Sequence, residues 1–424
     1  MAITFNRTEL GDGMYFNTIT NPALMTNTMI INAILPISKE DASKTAFLSE
    51  YLGAVNDNFR TEKSLQLTLS ENYGTQLITS VQKYGDSQLL TLNASCINDR
   101  FAIDGESVTA NTAKILIDCF ANTFTENGAF ESNLFALKRR ELEEEIMTEI
   151  NDKRAYAVKR AGRVFYKNEP AAISPLGEAE DAARLTADNT FSHYKKMLEK
   201  SLIEIYYTGQ SADTAKKIAD TVFIPAVSKI DRWFEGFLRY EKSPVKSAPE
   251  RVVETLDVAQ SKMVMAFKTP SEYVPGNQLL NAMFGGTPSS KLFLNVREKL
   301  SLCYYCTSSY NEYKGCFTVD SGVEADNAKK AEDEILVQLK ALQNGDFSDD
   351  EIDSAKKAVI NSLRTVVDSA NAISAWYFSR LFGGTPETPE QRIQAIQNVT
   401  KKDIIEAANY LKFDTVYLLT KGGK

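Results

Sequence analysis

Two stretches of this chain carry the same order of signals. LGEAEDAARLTADNTFSHYKKMLEKSLIEIYYTG (176–209) and PEQRIQAIQNVTKKDIIEAANYLKFDTVYLLTKG (389–422) each read as a helix, a break, a second helix and an alternating strand. The breaks fall at Leu185-Thr186 and Val399-Thr400, where Thr186 with Asn189 and Thr400 with Asp403 suit helix N-caps. The strands are Leu202 to Tyr207 and Thr415 to Thr420. A pattern used twice in 424 residues predicts one fold used twice. EKSPVKSAPER (241–251), rich in Pro, Ser and Lys, separates the copies, so the expected organisation is a domain over 1–235, a linker over 236–251 and a second domain over 252–424.

Within each half, alternating runs predict strands: TQLITSVQKYG and SQLLTLNAS, then SKMVMAFKT and GCFTVDSGV. Long amphipathic helices are interleaved with them. Strand pairs followed by helix runs predict an α+β fold with mixed, mostly antiparallel sheets covered on one face by helices, rather than a parallel doubly wound sheet. FESNLFALKRRELEEEIMTEINDKRAYAVKRAG reads as one long helix or two joined end to end, and pairs such as Arg139 with Glu143 predict a charged outer face.

The net charge of −8 disfavours nucleic acid and anionic membrane as partners, since both need a cationic surface. No apolar run reaches the ~18 to 20 residues of a membrane span, and the N-terminus lacks a signal pattern, so a cytoplasmic location is expected. Five scattered cysteines are not a disulfide framework. Cys303 and Cys306 form a lone CxxC that strand geometry predicts to face opposite sides, as buried or half-buried residues.

His193 is the single histidine, which rules out any site on this chain built from several imidazoles. It lies in a lysine-rich helix without a nearby nucleophile and is expected on the surface. FGGTPSS and LFGGTPET lack a GK[ST] continuation and read as helix-terminating turns. In TPSSKLFLNVREKLSLCYYCTSSY, a helix capped by Ser289 or Ser290 runs to Leu300 and a strand follows, which brings Arg297 and Tyr304 within reach of one cleft. A guanidinium and a phenol suit a peptide carbonyl or carboxylate, although Arg297 alone reads equally as a charge on the helix dipole.

SSKLFLNVREKLSLCYY resembles the second-half signature of the M16 zinc metallopeptidases, the pitrilysin and mitochondrial processing peptidase-like family, in which an Arg and a Tyr bind substrate. LDVAQSKMVMAF and the duplicated halves fit the same family. The resemblance implies two homologous domains forming half of a clam-shell chamber. It also implies that AFLSEYLG stands where the HxxEH zinc motif belongs, with Phe47, Glu50 and Tyr51 for His, Glu and His, and that Glu145 stands at the third ligand position. One remaining ligand cannot hold zinc, so no metal and no catalytic residue is expected on this chain alone.

Non-catalytic members of that family pair with catalytic ones. By that analogy Arg297 and Tyr304 bind peptide in a heterodimer whose zinc sits on an HxxEH-bearing partner. Among such members, the chain is similar to the inactive subunit of bacterial pairs associated with elongation factor P modification. The alternative reading is a non-enzymatic peptide-binding or scaffold protein of the same fold.

Overall fold

The computed structural model describes residues 3–422. The chain divides into two compact units: Met1–Met147, Ile173–Arg239 and Val366–Thr385 form one, and Thr148–Ala172, Tyr240–Thr365 and Pro386–Lys424 form the other.

In the first unit, β1 (Thr4–Gly11), β2 (Met14–Thr20), β3 (Thr26–Pro36), β4 (Gln76–Tyr84) and β5 (Ser87–Ile97) are followed by a short hairpin, β6 (Thr125–Glu126) and β7 (Ala129–Phe130), and by β8 (Leu202–Gly209). The main sheet has the order β1-β2-β8-β3-β5-β4 and only the β2–β8 pair is parallel. The second unit contains β9 (Glu250–Thr255), β10 (Ser261–Lys268), β11 (Cys303–Asn311), β12 (Cys316–Val323) and β13 (Lys412–Thr420) in the order β11-β12-β10-β13-β9. There only β13–β9 is parallel. Reversing that order superimposes it on β2-β8-β3-β5-β4, parallel pair included. The duplication is therefore topological, and β1 is the added strand.

The helix–break–helix–strand pattern forms as expected. Thr186 with Asn189 and Thr400 with Asp403 each make a reciprocal capping box. Leucine, isoleucine and aromatic side chains from alternate positions of β2, β3, β5 and β8 meet the helices of the first unit in one core. A separate core fills the second.

Coverage of the sheets is where the structure departs from expectation, because their other face is covered too. In the first unit the cover is the helix Ala370–Phe382, from the second half of the chain. Its Tyr377 ring stacks on Phe5 at 4.3 Å, its Phe378 meets Tyr84 and Tyr206 edge-on, and Ser374 bonds Thr208 at 2.6 Å. In the second unit the cover is the helix Lys153–Phe165, from the first half. Its Ala157 and Ala161 lie against Val264, Tyr417 and Leu419, while Arg160 and Tyr156 both bond Glu254, at 2.9 and 2.7 Å.

The long charged segment is two helices. Ser132–Thr148 ends in a 3₁₀ turn, and Asp152 caps Lys153–Phe165 by accepting from the amides of Arg154 and Ala155 at 3.0 Å. The chain passes from one unit to the other at this break.

Buried charges hold the pieces of the second unit together. Lys268, 1% exposed, lies 3.4 Å from Asp414 and donates to Pro244 O at 2.8 Å. Asp414 also receives Lys246 at 3.3 Å, and Glu169 receives Lys314 at 2.9 Å and the Ser243 hydroxyl at 2.6 Å. Removing one partner of a buried pair strands the other's charge, typically at about 3–5 kcal/mol. Asp414→Ala is accordingly expected to lower the urea midpoint of unfolding by that free energy, whereas Lys216→Ala, which breaks only the exposed Lys216–Asp220 pair, leaves the midpoint within about 0.5 kcal/mol.

Candidate functional site

The helix Ala42–Leu52 presents Phe47 and Tyr51 one turn apart to the interior, both fully buried. Phe47 lies 4.5 Å from the ring of Phe135 and 5.8 Å from that of Phe130, and Tyr51 is 4.4 Å from Phe130. Phe191 and Tyr194 extend the cluster from the helix Ala187–Lys200. The Tyr51 hydroxyl donates to Phe124 O at 3.0 Å and accepts from the Glu131 amide at 3.2 Å, so its hydrogen bonding is satisfied within the protein. Burial pushes its pKa up to about 12.

Glu50 is half-buried on the same helix. Its carboxyl pKa is raised, first by burial and then by the charge of Glu145, so the structure brings the two carboxylates together. Lys138 opposes that shift. Its ammonium bridges Glu62 at 2.5 Å and Glu141 at 2.9 Å and is itself buried. The expected charged outer face of Ser132–Thr148 therefore holds at Arg139–Glu143 and Arg140–Glu144 but fails at Lys138. Helical spacing accounts for the Glu141 pair, three residues on, but not for the one with Glu62, which is distant along the chain.

His193 is the clearest correction. It is 4% exposed, packed between its own helix and the start of Ala42–Leu52. Its Nε2 bonds Thr45 Oγ1 at 2.8 Å and its Nδ1 lies 3.4 Å from Asp41. The surface reading rested on the lysines around it, but Lys195 is exposed and Lys196 reaches back to Asp41 at 2.9 Å, while His193 shares the buried stripe with Thr190, Tyr194 and Met197.

In the second unit Arg297 lies in the last turn of Leu292–Lys299, a helix of π type rather than a regular one running to Leu300. Its Nε is 3.6 Å from Glu298 and its guanidinium sits 4.6 Å over the Phe293 ring, with the side chain 40% exposed. Tyr304 is on the edge strand β11, 62% exposed, and its hydroxyl donates to Glu324 at 3.0 Å. Arg297 and Tyr304 make no bond to each other. The register of β11 shifts between Cys303 and Tyr305, a bulge that carries Cys303 and Cys306 onto the same face. Both thiols enter the core, which corrects the expectation of opposite faces.

Residues 184–359 match the family described as Peptidase M16 inactive domain. The chain is 28% identical over 417 residues to a Bacillus subtilis (strain 168) protein named "Probable inactive metalloprotease YmfF", covering 96% of each. The chain is thus similar to inactive M16 peptidases, over residues 184–359 by family and over nearly its whole length to one named relative. A conserved protein from Enterococcus faecalis V583 has the same architecture at a TM-score of 0.90, with 25% identity and 99% of each chain covered. A peptidase M16 inactive domain from Pseudomonas fluorescens superimposes at 0.79 with 14% identity over nearly the whole of both chains.

The zinc of M16 metallopeptidases does not fit this chain. Phe47 has no donor atom, and the Tyr51 hydroxyl is taken by backbone, so the carboxylates of Glu50 and Glu145 alone fall short of the three protein ligands zinc needs. Among the described residues no group of three or more His, Cys, Asp and Glu side chains is placed to hold a metal ion.

Two outcomes test this site. Tyr51→Phe leaves Phe124 O and the Glu131 amide without partners and is expected to cost about 1–3 kcal/mol, read from chemical denaturation. The pH dependence of stability isolates His193, whose pKa burial depresses to about 4. The unfolded chain binds this proton near pH 6.5 and the folded chain only near 4, so stability is fully present above 6.5 and declines as the pH falls toward 4. The loss reaches about 3 kcal/mol, and His193→Gln is expected to flatten the profile across that window.

Proposed function

We propose that this chain is the substrate-holding, non-catalytic subunit of a two-chain M16 peptidase whose zinc-bearing partner supplies HxxEH. The observation that carries the reading is the contrast between the two sets of family residues. The positions of the zinc motif have been absorbed into an aromatic core, whereas Arg297 and Tyr304 keep solvent-facing donors. A fold-only protein has no use for an exposed guanidinium and phenol at those two signature positions.

In this reading, Arg297 and Tyr304 bind the carbonyl or carboxylate oxygens of a peptide and stabilise charge that develops in the partner's site. The weak tether of Arg297 to Glu298, at 3.6 Å, leaves its fork free to turn to substrate. The π-helical turn supports the role, since such turns recur at functional positions. No helix among the described residues is long and apolar enough to cross a membrane, which accords with a cytoplasmic setting.

The test begins with affinity purification of the full-length protein from its own cells. A stoichiometric companion carrying HxxEH is expected, and recovery of this chain by itself would favour the scaffold reading. In the purified complex, Arg297→Ala is expected to lower peptide turnover by about 10²–10³-fold with zinc content unchanged, the usual cost of losing one oxyanion donor. Unchanged turnover would remove Arg297 from the mechanism.

A further inference from the structure

A cleft in the second unit, whose lining includes neither Arg297 nor Tyr304, is independent of the reading above. It is a cleft of about 250 Å³ lined by Ser271, Tyr273, Asp403, Glu406, Ala407 and Tyr410. Residues 403, 406, 407 and 410 share one face of the helix Lys401–Tyr410, and Tyr273 stands opposite, at the start of the helix Val274–Asn281. Tyr273 and Tyr410 are 44% and 43% exposed, an unusual investment of two large rings in open surface.

The position of the Tyr273 ring is built in. A Cβ on Gly276 would lie 2.6 Å from Tyr273 Cδ1, so the ring rests against a helix backbone that only glycine leaves bare. The Asp403 charge raises the pKa of the Tyr273 phenol, after burial, which places carboxylate and phenol in each other's field.

The two carboxylates differ. Asp403 is occupied, because its Oδ2 accepts from the Thr400 amide at 2.8 Å and the Thr400 hydroxyl at 2.7 Å. Glu406 has only a long contact of 3.4 Å from the Tyr410 hydroxyl, and among the described residues no cationic side chain pairs with either carboxylate. The cleft thus offers two tyrosine side chains and one carboxylate with open acceptor sites. That combination suits a single positive charge on an apolar stem: the rings take the methylenes and the cation, and Glu406 takes the N–H donors. A polyamine, with several charges, would leave most of them unmatched. The volume, about 250 Å³, is enough for one extended side chain.

We propose that this cleft binds a lysine or arginine side chain presented by a polypeptide, held between Tyr273 and Tyr410 with its charge on Glu406.

The test is saturation-transfer NMR on the full-length protein, with Nα-acetyl-arginine amide and Nα-acetyl-lysine amide as probes. Nα-acetyl-norleucine amide serves as the neutral match and spermidine as a non-peptide source of the same charge. Saturable transfer to the two cationic amides and not to norleucine amide is expected. Glu406→Gln is expected to weaken it by about fivefold or more, the scale of one charge-assisted bond. Tyr273→Leu should abolish it, and Tyr273→Phe, which keeps the ring, should retain it. Circular dichroism melts of each variant check that the fold persists. Equal transfer to norleucine amide, or binding that survives both Glu406→Gln and Tyr273→Leu, would overturn the proposal. Spermidine displacing both amides at lower concentration would overturn the assignment to a polypeptide.

Discussion

Each sheet in this protein is covered on both faces, and the second face mixes buried rings and aliphatic groups, such as Tyr206, Val264 and Tyr417, with polar groups that need partners, such as Glu204 and Thr208. The second cover is a single helix contributed by the opposite half of the chain: Ala370–Phe382 in one unit and Lys153–Phe165 in the other. Burial of apolar area, at roughly 25 cal/mol per Å², makes such a cover stabilising. Specific contacts then set its position: the Phe5–Tyr377 stack and the Thr208–Ser374 bond on one side, and Glu254 shared by Tyr156, Arg160 and Tyr417 on the other. Because the exchange is reciprocal, neither half of the sequence contains everything its own sheet needs.

The buried charges of the second unit follow from the same arrangement. Glu169, Lys246, Lys268, Lys314 and Asp414 come from segments far apart in sequence, and their interior positions are tolerable only when all the segments are in place. Such a network contributes less to net stability than to uniqueness, since any alternative packing would strand an ammonium in an apolar setting.

The helix Ala42–Leu52, on which the sequence resemblance puts a degenerate zinc motif, buries its aromatic residues in the core. Phe47 and Tyr51 need no metal to be satisfied; they bury rings against Phe130 and Phe135 and spend one hydroxyl on two backbone groups. Lys138, a cation supplied by the chain itself, pairs with the neighbouring Glu62 and Glu141. Arg297 and Tyr304, by contrast, sit at a helix end and on an edge strand, where side chains stay partly or largely in solvent.

Much of this was legible in the residues. The repeated helix–break–helix–strand pattern, the Thr186 and Thr400 caps, the strands of both sheets and the loss of the zinc motif all depend on local periodicity and on residue identity. Those are properties a linear reading can see. Cys303 and Cys306 were assigned opposite faces because period two ignores a bulge, whose cause is the pairing of β11 with β12. His193 was assigned to the surface because its neighbours in sequence are lysines, while its neighbours in space are Thr45 and Asp41 on another helix. The helix exchange and the Lys138–Glu62 bridge were invisible for the same reason. Local pattern determines which elements form and which chemistry is absent; which side chains meet depends on burial and pairing between residues far apart in the chain, and only folding in three dimensions brings those together.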